Sequence, residues 1–496
     1  MKKLLISALI AGLPGVAMAD AKGDEIAKLK AQLEALQAQM QQLQQAVNAA
    51  TAAKAPEADD ANTELKQRVA GMELKVDKLT TDASEGPIAG LSITGYLDPT
   101  YLASRVGKSS GFQFVNHSNQ YAYTNSTFGD VYLDIKKTFG VGPLAPSAEI
   151  SILPNRGSGN TLMTSGGGSS AGNNIINTAI INFPLSDTTQ LVAGLMNSFG
   201  GYEVQQSNQM NTITHGLLYD FSDPGSYVGA GFNWSHDVWA TKFMIANEQY
   251  HTNPNSASDA NSHTHSNSTP TVTGRVDYTM TSNLDLGGSM NIGRQSLYAH
   301  TTTTNGTTSA DGTYGYQGNS NSAYSAYYFG ELDATLTGTD SVYNAEIDYG
   351  RQKQAAWNGG DAVWWGFSLL AHQKWNSDWF GRMGATLRYD YLNDSKNGGG
   401  GGGIALGQSN GVDGTNGFGI SQACYNDSVA NGGSGTDCSG ATRQALTAAL
   451  LFYPTDQLTL KMEYRHDWAN RDVFLRSDGN YRKSNDIFAA QAVYSF

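Results

Sequence analysis

The chain has 496 residues, 15% of them charged, with 57 Gly, 25 Tyr and a formal net charge of −13. Charge falls short of the roughly 25% of ordinary soluble domains, and its acidic sign argues against a nucleic-acid partner. The length suits several ordinary domains or one large β-barrel; no later stretch reaches the ~18 apolar residues of a membrane helix, so any bilayer crossing falls to strands.

The first element is an export signal. Lys2 and Lys3 precede a short apolar run from Leu4 to Leu13, Pro14 breaks it, and Ala17-Met18-Ala19 is a small-x-small cleavage site. Residues 1–19 therefore read as a secretory signal peptide. The run is too short for an uncleaved anchor.

Residues 20–83 change period. Ile26, Leu29, Leu33, Leu36, Met40, Leu43 and Val47 are spaced alternately three and four apart, the a/d seam of a coiled coil. "TAAKAPEADDAN" (51–62) is a linker by composition. Leu65, Val69, Met72, Val76 and Leu79 form a second seam, which "SEGP" (84–87) ends. So narrow a seam wants identical partners, and a homotrimer is the expectation; a flexible periplasmic spacer is the alternative. The seam is short and would be marginal alone.

From residue 91 the period becomes two. "VYLDIKK" sets Val131, Leu133 and Ile135 against Tyr132, Asp134 and Lys136. "VTGRVDY" separates Val272, Val276 and Tyr278 from Arg275 and Asp277. "LTLKMEYR" separates Leu458, Leu460, Met462 and Tyr464 from Thr459, Lys461, Glu463 and Arg465. A soluble sandwich would alternate too, so connection lengths decide. Tight turns (140–146, 185–190, 235–237, 281–283, 338–340, 376–378, 454–457) alternate with long Asn/Ser/Gly-rich segments (157–174, 199–225, 251–270, 299–322, 353–362, 393–440, 469–483). Outer-membrane barrels alternate short periplasmic turns with long external loops. The expected fold is an all-β transmembrane barrel of about sixteen antiparallel strands over 91–496, preceded by the helical coiled coil. Both ends of the barrel then lie on the periplasmic side, with the coiled coil in the periplasm of a Gram-negative cell.

Cys424 and Cys438, the two cysteines, lie in one long segment. In an exported chain they are expected to form a local disulfide. The last strand, "DIFAAQAVYSF", puts Phe488, Ala490, Ala492, Tyr494 and Phe496 on its lipid side. It must pair with the first, "LSITGYLDPTY", because no edge can stay open in lipid. Tyr494 and Phe496 look like the C-terminal signal of bacterial outer-membrane proteins, which implies the barrel-assembly machinery as a partner.

"ITGYLDPTY" (93–101), "VAGLMNSFGGYEV" (192–204), "GSYVGAGFNW" (225–234) and "TKFMIANEQY" (241–250) resemble the OmpL-like family of β-barrel porins. A coiled coil ahead of a barrel also resembles an uncharacterised proteobacterial group and the siderophore-porin type. The resemblance implies diffusion or solute-selective transport and fixes no substrate. A basic pattern that often accompanies the "GYEV" region in relatives is missing here, so it does not imply anion selectivity.

The segment 199–225 is the least low-complexity of the long connections, with Tyr202, Leu217, Leu218, Tyr219 and Phe221. It reads as a constriction loop folded into the lumen, carrying Tyr202, Glu203, Tyr219, Asp220 and Asp223; packing over the rim is the alternative. Strand parity turns Arg382, Arg388, Arg443, Lys461 and Arg465 inward on the thirteenth to fifteenth strands. They are expected to oppose the loop's acids across the pore; local pairing, Arg388 with Asp390 and Glu463 with its basic neighbours, is the competing expectation.

Other chemistry is thin. "HTHSN" (263–267) offers two histidines without a third ligand, and "GGGGGG" (398–403) is followed by no Lys-Ser/Thr. His466 has outward parity but no Ser or Asn partner in sight. No enzyme, cofactor or metal site is expected. The sequence thus points to an outer-membrane porin for small hydrophilic solutes. A structural or adhesive barrel, or a siderophore-type uptake porin, is the alternative. Trp364, Leu370 and Val493, apolar at inward positions, are what a plugged lumen would need.

Overall fold

The structure, a computed structural model, describes residues 89–114, 128–153, 176–248, 256–258, 264–266, 269–297, 299–304, 307–395, 412–413, 418–420 and 422–496. The signal peptide, both seams, the linker at 51–62 and His263 lie outside them. The chain divides into two compact units. One is residues 1–92 with 137–140, where the Thr138 N–H donates to the Gly90 carbonyl at 2.9 Å. The other, Ile93–Lys136 with Val141–Phe496, is the barrel.

Its wall is made of β1 (Leu91–Leu97), β2 (Thr100–Ser104), β3 (Ser109–Gln113), β4 (Val131–Thr138), β5 (Ser147–Ile152), β6 (Ile176–Pro184), β7 (Thr189–Asn197), β8 (Ser226–His236) and β9 (Trp239–Ala246). It continues with β10 (Thr271–Thr279), β11 (Leu284–Ser296), β12 (Tyr324–Thr337), β13 (Ser341–Gln352) and β14 (Ala362–Ser377). It ends with β15 (Gly381–Asn393), β16 (Thr442–Phe452), β17 (Leu458–Ala469) and β18 (Ser484–Ser495). These 18 segments make a closed antiparallel barrel of 16 strands, because β1 with β2 and β3 with β4 are each one wall strand in two pieces. From β5 onward each strand pairs with the next in sequence. The ring closes where β18 pairs with β1 (Leu97↔Tyr494) and β2 (Thr100↔Gln491).

The first strand is not continuous, as "LSITGYLDPTY" suggested. Asp98 and Pro99 break it, since proline has no N–H to give to a ladder. The break is sealed by side chains: Gln491 Nε2 donates to Asp98 Oδ2 at 3.0 Å and to Thr100 Oγ1 at 3.1 Å, and Asp98 Oδ1 accepts the Asp130 N–H. Nearby, Gly95 exchanges backbone hydrogen bonds with Phe496 at 2.9 and 3.0 Å. A Cβ at Gly95 would collide with the Tyr132 carbonyl and the Phe496 ring, so only glycine allows this approach.

Burial along the strands inverts the soluble pattern. On β17, Leu460, Met462 and Tyr464 are exposed while Lys461, Glu463, Arg465 and Asp467 are buried. On β13, Ile347 and Tyr349 are exposed while Glu346 and Asp348 are buried. A water-facing wall would not present its large apolar side chains outward and hide its charges. A lipid-facing wall does, and a sheet that closes on itself pairs its first and last strands. Phe488, Tyr494 and Phe496 lie outward on this surface.

Candidate functional site

The long connection between β7 and β8 enters the barrel and is fixed by wall side chains of β15 to β17. Lys461 Nζ donates to three loop carbonyls: Ser207 at 2.7 Å, Met210 at 2.9 Å and Thr212 at 3.0 Å. Two positions on, Glu463 accepts the Ile213 N–H at 2.5 Å, the Thr214 N–H at 3.1 Å and the Thr214 hydroxyl at 2.6 Å. Arg465 Nη1 donates to the His215 carbonyl at 2.5 Å and to Thr214 Oγ1 at 3.1 Å. Period-two alternation on one strand thus meets successive turns of the loop. A loop of irregular backbone has no ladder to satisfy its own groups, and these charged side chains serve instead.

The expected opposition of acids and bases across a gap is not what is found. Glu203 and Arg388 are in contact at 2.7 Å, both buried. Arg388 Nη1 also donates to the Thr214 carbonyl at 2.8 Å and Thr212 Oγ1 at 3.0 Å, and its Nε meets Asp390 at 3.1 Å. The reason is reach: the loop crosses from strands β7 and β8 to the far wall and closes the distance that the strand count measured. Asp220 is buried, the Tyr219 ring stacks on His215 at 3.9 Å, and the Tyr202 hydroxyl lies 2.8 Å from Ser368 Oγ. Arg443 donates to Asp467 Oδ1 at 2.8 Å, with its guanidinium over the rings of Phe221 and Phe474. Arg382 does not join this cluster; it is exposed, over the Tyr453 ring at 5.4 Å.

Asp223 parts company with the other loop acids. It meets a second, acidic wall that the sequence reading passed over: Glu331 and Asp333 on β12, Glu346 and Asp348 on β13, all buried. Their signal was available, since each pair brackets an outward residue, Leu332 or Ile347, in strict alternation. Arg275 on β10 answers part of it, with Asp333 at 2.6 Å, Asp277 at 2.7 Å and Glu331 at 3.4 Å.

The loop has an apolar side as well. Ile213, Leu217, Leu218 and Phe221 share one buried cluster with wall residues including Trp364, Leu392, Ala445 and Ile487. Leu370 and Val493 are buried too. Outside the wall, Cys424 and Cys438 are joined in a disulfide, Cys424 lying on a short helix, α1 (Gln422–Ala430). Cys438 packs with Tyr316, Trp357 and Ile420, and Trp357 Nε1 donates to the Gly435 carbonyl at 3.1 Å. His466 pairs with Asp486 at 2.6 Å and stacks on Trp468.

A closed wall with lipid-type outer surface and charged interior defines an outer-membrane β-barrel. The chain matches the model of the family described as "Protein of unknown function (DUF3138)" over residues 1–59 and 52–496, and it belongs to that family. No curated protein matches it. Among solved structures it is similar to the anion-selective porin from Comamonas acidovorans, at 9% identity and TM-score 0.50, covering 82% of this chain and 99% of that one. It is also similar to Salmonella typhi OmpF in complex with daunomycin, at 10% identity and TM-score 0.46, covering 82% and 97%. A third is a loop-deletion form of OmpT, an outer membrane protein of Vibrio cholerae, at 9% identity and TM-score 0.46, covering 82% and 99%. At this identity the Comamonas acidovorans porin speaks for the fold alone.

Proposed function

We propose that the chain is a passive outer-membrane channel for small hydrophilic solutes, narrowed by the inward loop between β7 and β8. One observation carries this: charged side chains line the inner face of the wall, on β10, β12, β13 and β15 to β17, around a loop that several of them bond. A barrel serving only as an anchor has no need of so much buried charge, which is costly away from water or partners. The acids of β12 and β13 have fewer basic partners than the bases of β15 to β17 have acidic ones, so the preference expected is for cations. The signal peptide, a coiled-coil homotrimer and kinship with OmpL-like or siderophore-type porins belong to this reading as proposals from the sequence.

A second reading has its own support. The apolar cluster of loop and wall is what a plugged, structural barrel would use. Planar-bilayer recording of the purified protein separates the two. Stepwise conductance that small polar solutes reduce in proportion to their size supports a channel. A folded, inserted barrel without conductance steps would leave the structural reading.

A further inference from the structure

The register of the acidic wall poses a problem of charge. Glu331 lies directly opposite Asp348, and Asp333 directly opposite Glu346. Like charges facing across a strand pair are destabilising. Arg275 bonds Glu331 and Asp333 but makes no ion pair with Glu346 or Asp348. The loop then adds Asp223 to these two. Among the described residues none of the three carboxylates makes an ion pair, and all three are at least nine-tenths buried.

Five of their six oxygens also lack a hydrogen bond of good geometry. Both of Asp223, both of Asp348 and Oε1 of Glu346 have no partner, while Glu346 Oε2 takes only the Tyr202 N–H at 3.1 Å. Ser222 Oγ, also buried, lies beside Asp348, and Asp348 lies beside Asp223. Buried polar atoms are nearly always satisfied, so a group of this size indicates a missing counter-group. The backbone leaves room for one. Gly201, at φ +73°, lines the group, and a Cβ there would stand 2.8 Å from Asp223 Oδ2 and 3.1 Å from Glu346 Oε2.

We propose that Asp223, Glu346 and Asp348 bind a calcium ion inside the barrel. One oxygen from each of the three lies within 4.8 Å of the others. Oxygens each about 2.4 Å from a calcium ion can stand up to about 5 Å apart, so one ion can reach all three. The donors are all oxygen, with no imidazole or thiolate, which favours a hard cation over zinc or copper. Three carboxylates, the Ser222 hydroxyl and water suit the large and variable coordination of calcium better than the strict octahedron of magnesium. The ion would fasten the C-terminal limb of the loop to β13, while Lys461, Arg388 and Arg465 hold its middle to the other wall. This rests on the fold and not on conduction, so it stands or falls separately from the channel reading.

The test is equilibrium dialysis of the folded, full-length protein in detergent against calcium chloride after chelator treatment. One calcium per chain is expected, displaced by magnesium only at much higher concentration. Asp348→Asn and Glu346→Gln should each weaken binding tenfold or more, with the barrel still showing heat-modifiable migration. Asp285→Asn, at the start of β11, should leave it unchanged. If neither site variant folds, protease cleavage of the wild-type loop 198–225 should be slowed several-fold by calcium over chelator. A folded wild-type protein that binds no calcium saturably, or a site-variant pair that binds it as well as wild type, overturns the proposal. So does loop cleavage that calcium leaves unaltered.

Discussion

Lys461 shows how much one residue can do in a lumen. Its ammonium has three protons, and each is given to a different carbonyl of the loop. Strand parity alone turns it inward; nothing in the sequence says that its partners lie some 250 positions earlier. Lys461→Met keeps the bulk and removes the donors, leaving carbonyls whose desolvation costs ~1–3 kcal/mol each where no water replaces the ammonium. The barrel ladder does not depend on these bonds, so the loop should detach while the wall survives. Protease cleavage within 198–225 should rise about tenfold or more, which corresponds to ~1.4 kcal/mol. Arg382→Ala, at a residue stacked on Tyr453 away from the loop, should leave cleavage at the wild-type rate. Equal rates in Lys461→Met and wild type would mean that the apolar contacts alone hold the loop.

At the scale of elements, the disulfide and the loop make opposite demands. Cys424 and Cys438 are 14 positions apart, and closing so short a loop stabilises it by ~3 kcal/mol in the chain-entropy model. That acts on the segment between β15 and β16, which also holds Tyr316 and Trp357 from other loops. The double Cys→Ser variant should therefore keep the heat-modifiable migration of the barrel and gain protease cleavage within 396–441. Loss of barrel folding in that variant would put the bridge in the assembly path instead. The strands themselves were readable, because tight and long connections alternate and stretches such as 131–137, 272–278 and 458–465 alternate in the sequence with period two. The break at Asp98–Pro99 went unread, although its proline carried the signal. What parity could not convey was reach: it placed the bases on the inner wall but gave no sign that Glu203 would contact Arg388. Nor could it rank the buried acids. Glu331, Asp333, Glu346 and Asp348 carry the same alternation as Lys461 and Arg465, and parity alone does not say which inward charges the loop will meet.

At the scale of the whole molecule, conduction depends on which charges remain unanswered once the loop is seated. The bases of β15 to β17 are engaged with Glu203, Asp390, Asp467 and loop carbonyls, so their field is largely cancelled within the wall. Of the acids of β12 and β13, Glu331 and Asp333 meet Arg275, while Glu346 and Asp348 make no ion pair among the described residues. Charges about 10 Å apart in water interact by a fraction of a kcal/mol, and more between low-dielectric walls. Converting Glu331→Gln and Asp333→Asn together should move ion preference toward anions by several-fold, most strongly at low salt where screening is weak. Neutralising Arg388 or Arg465 should do less to selectivity and more to the loop. The reversal potential across a salt gradient, recorded with chelator present so that no divalent ion masks the acids, reads both effects. Selectivity unchanged in the acidic pair would place the ion path away from β12 and β13.

Oligomer state belongs to the same scale, and the argument for it starts outside the barrel. Barrels associate through lipid without a hydrophobic drive, since lipid tails are as apolar as their outer faces. The seam of Ile26, Leu29, Leu33, Leu36, Met40, Leu43 and Val47, outside the described residues, would supply one in water. The two contacts would reinforce each other: a seam too short to hold alone gains from chains that the membrane already confines to a plane. Leu29→Asp, Leu36→Asp and Leu43→Asp together bury three charges at the seam and should abolish it. The variant barrel should still fold, but its oligomer should dissociate at a lower temperature on native gels, and cross-linking should capture fewer trimers. An oligomer that melts and cross-links as the wild type does would reduce the seam to a spacer.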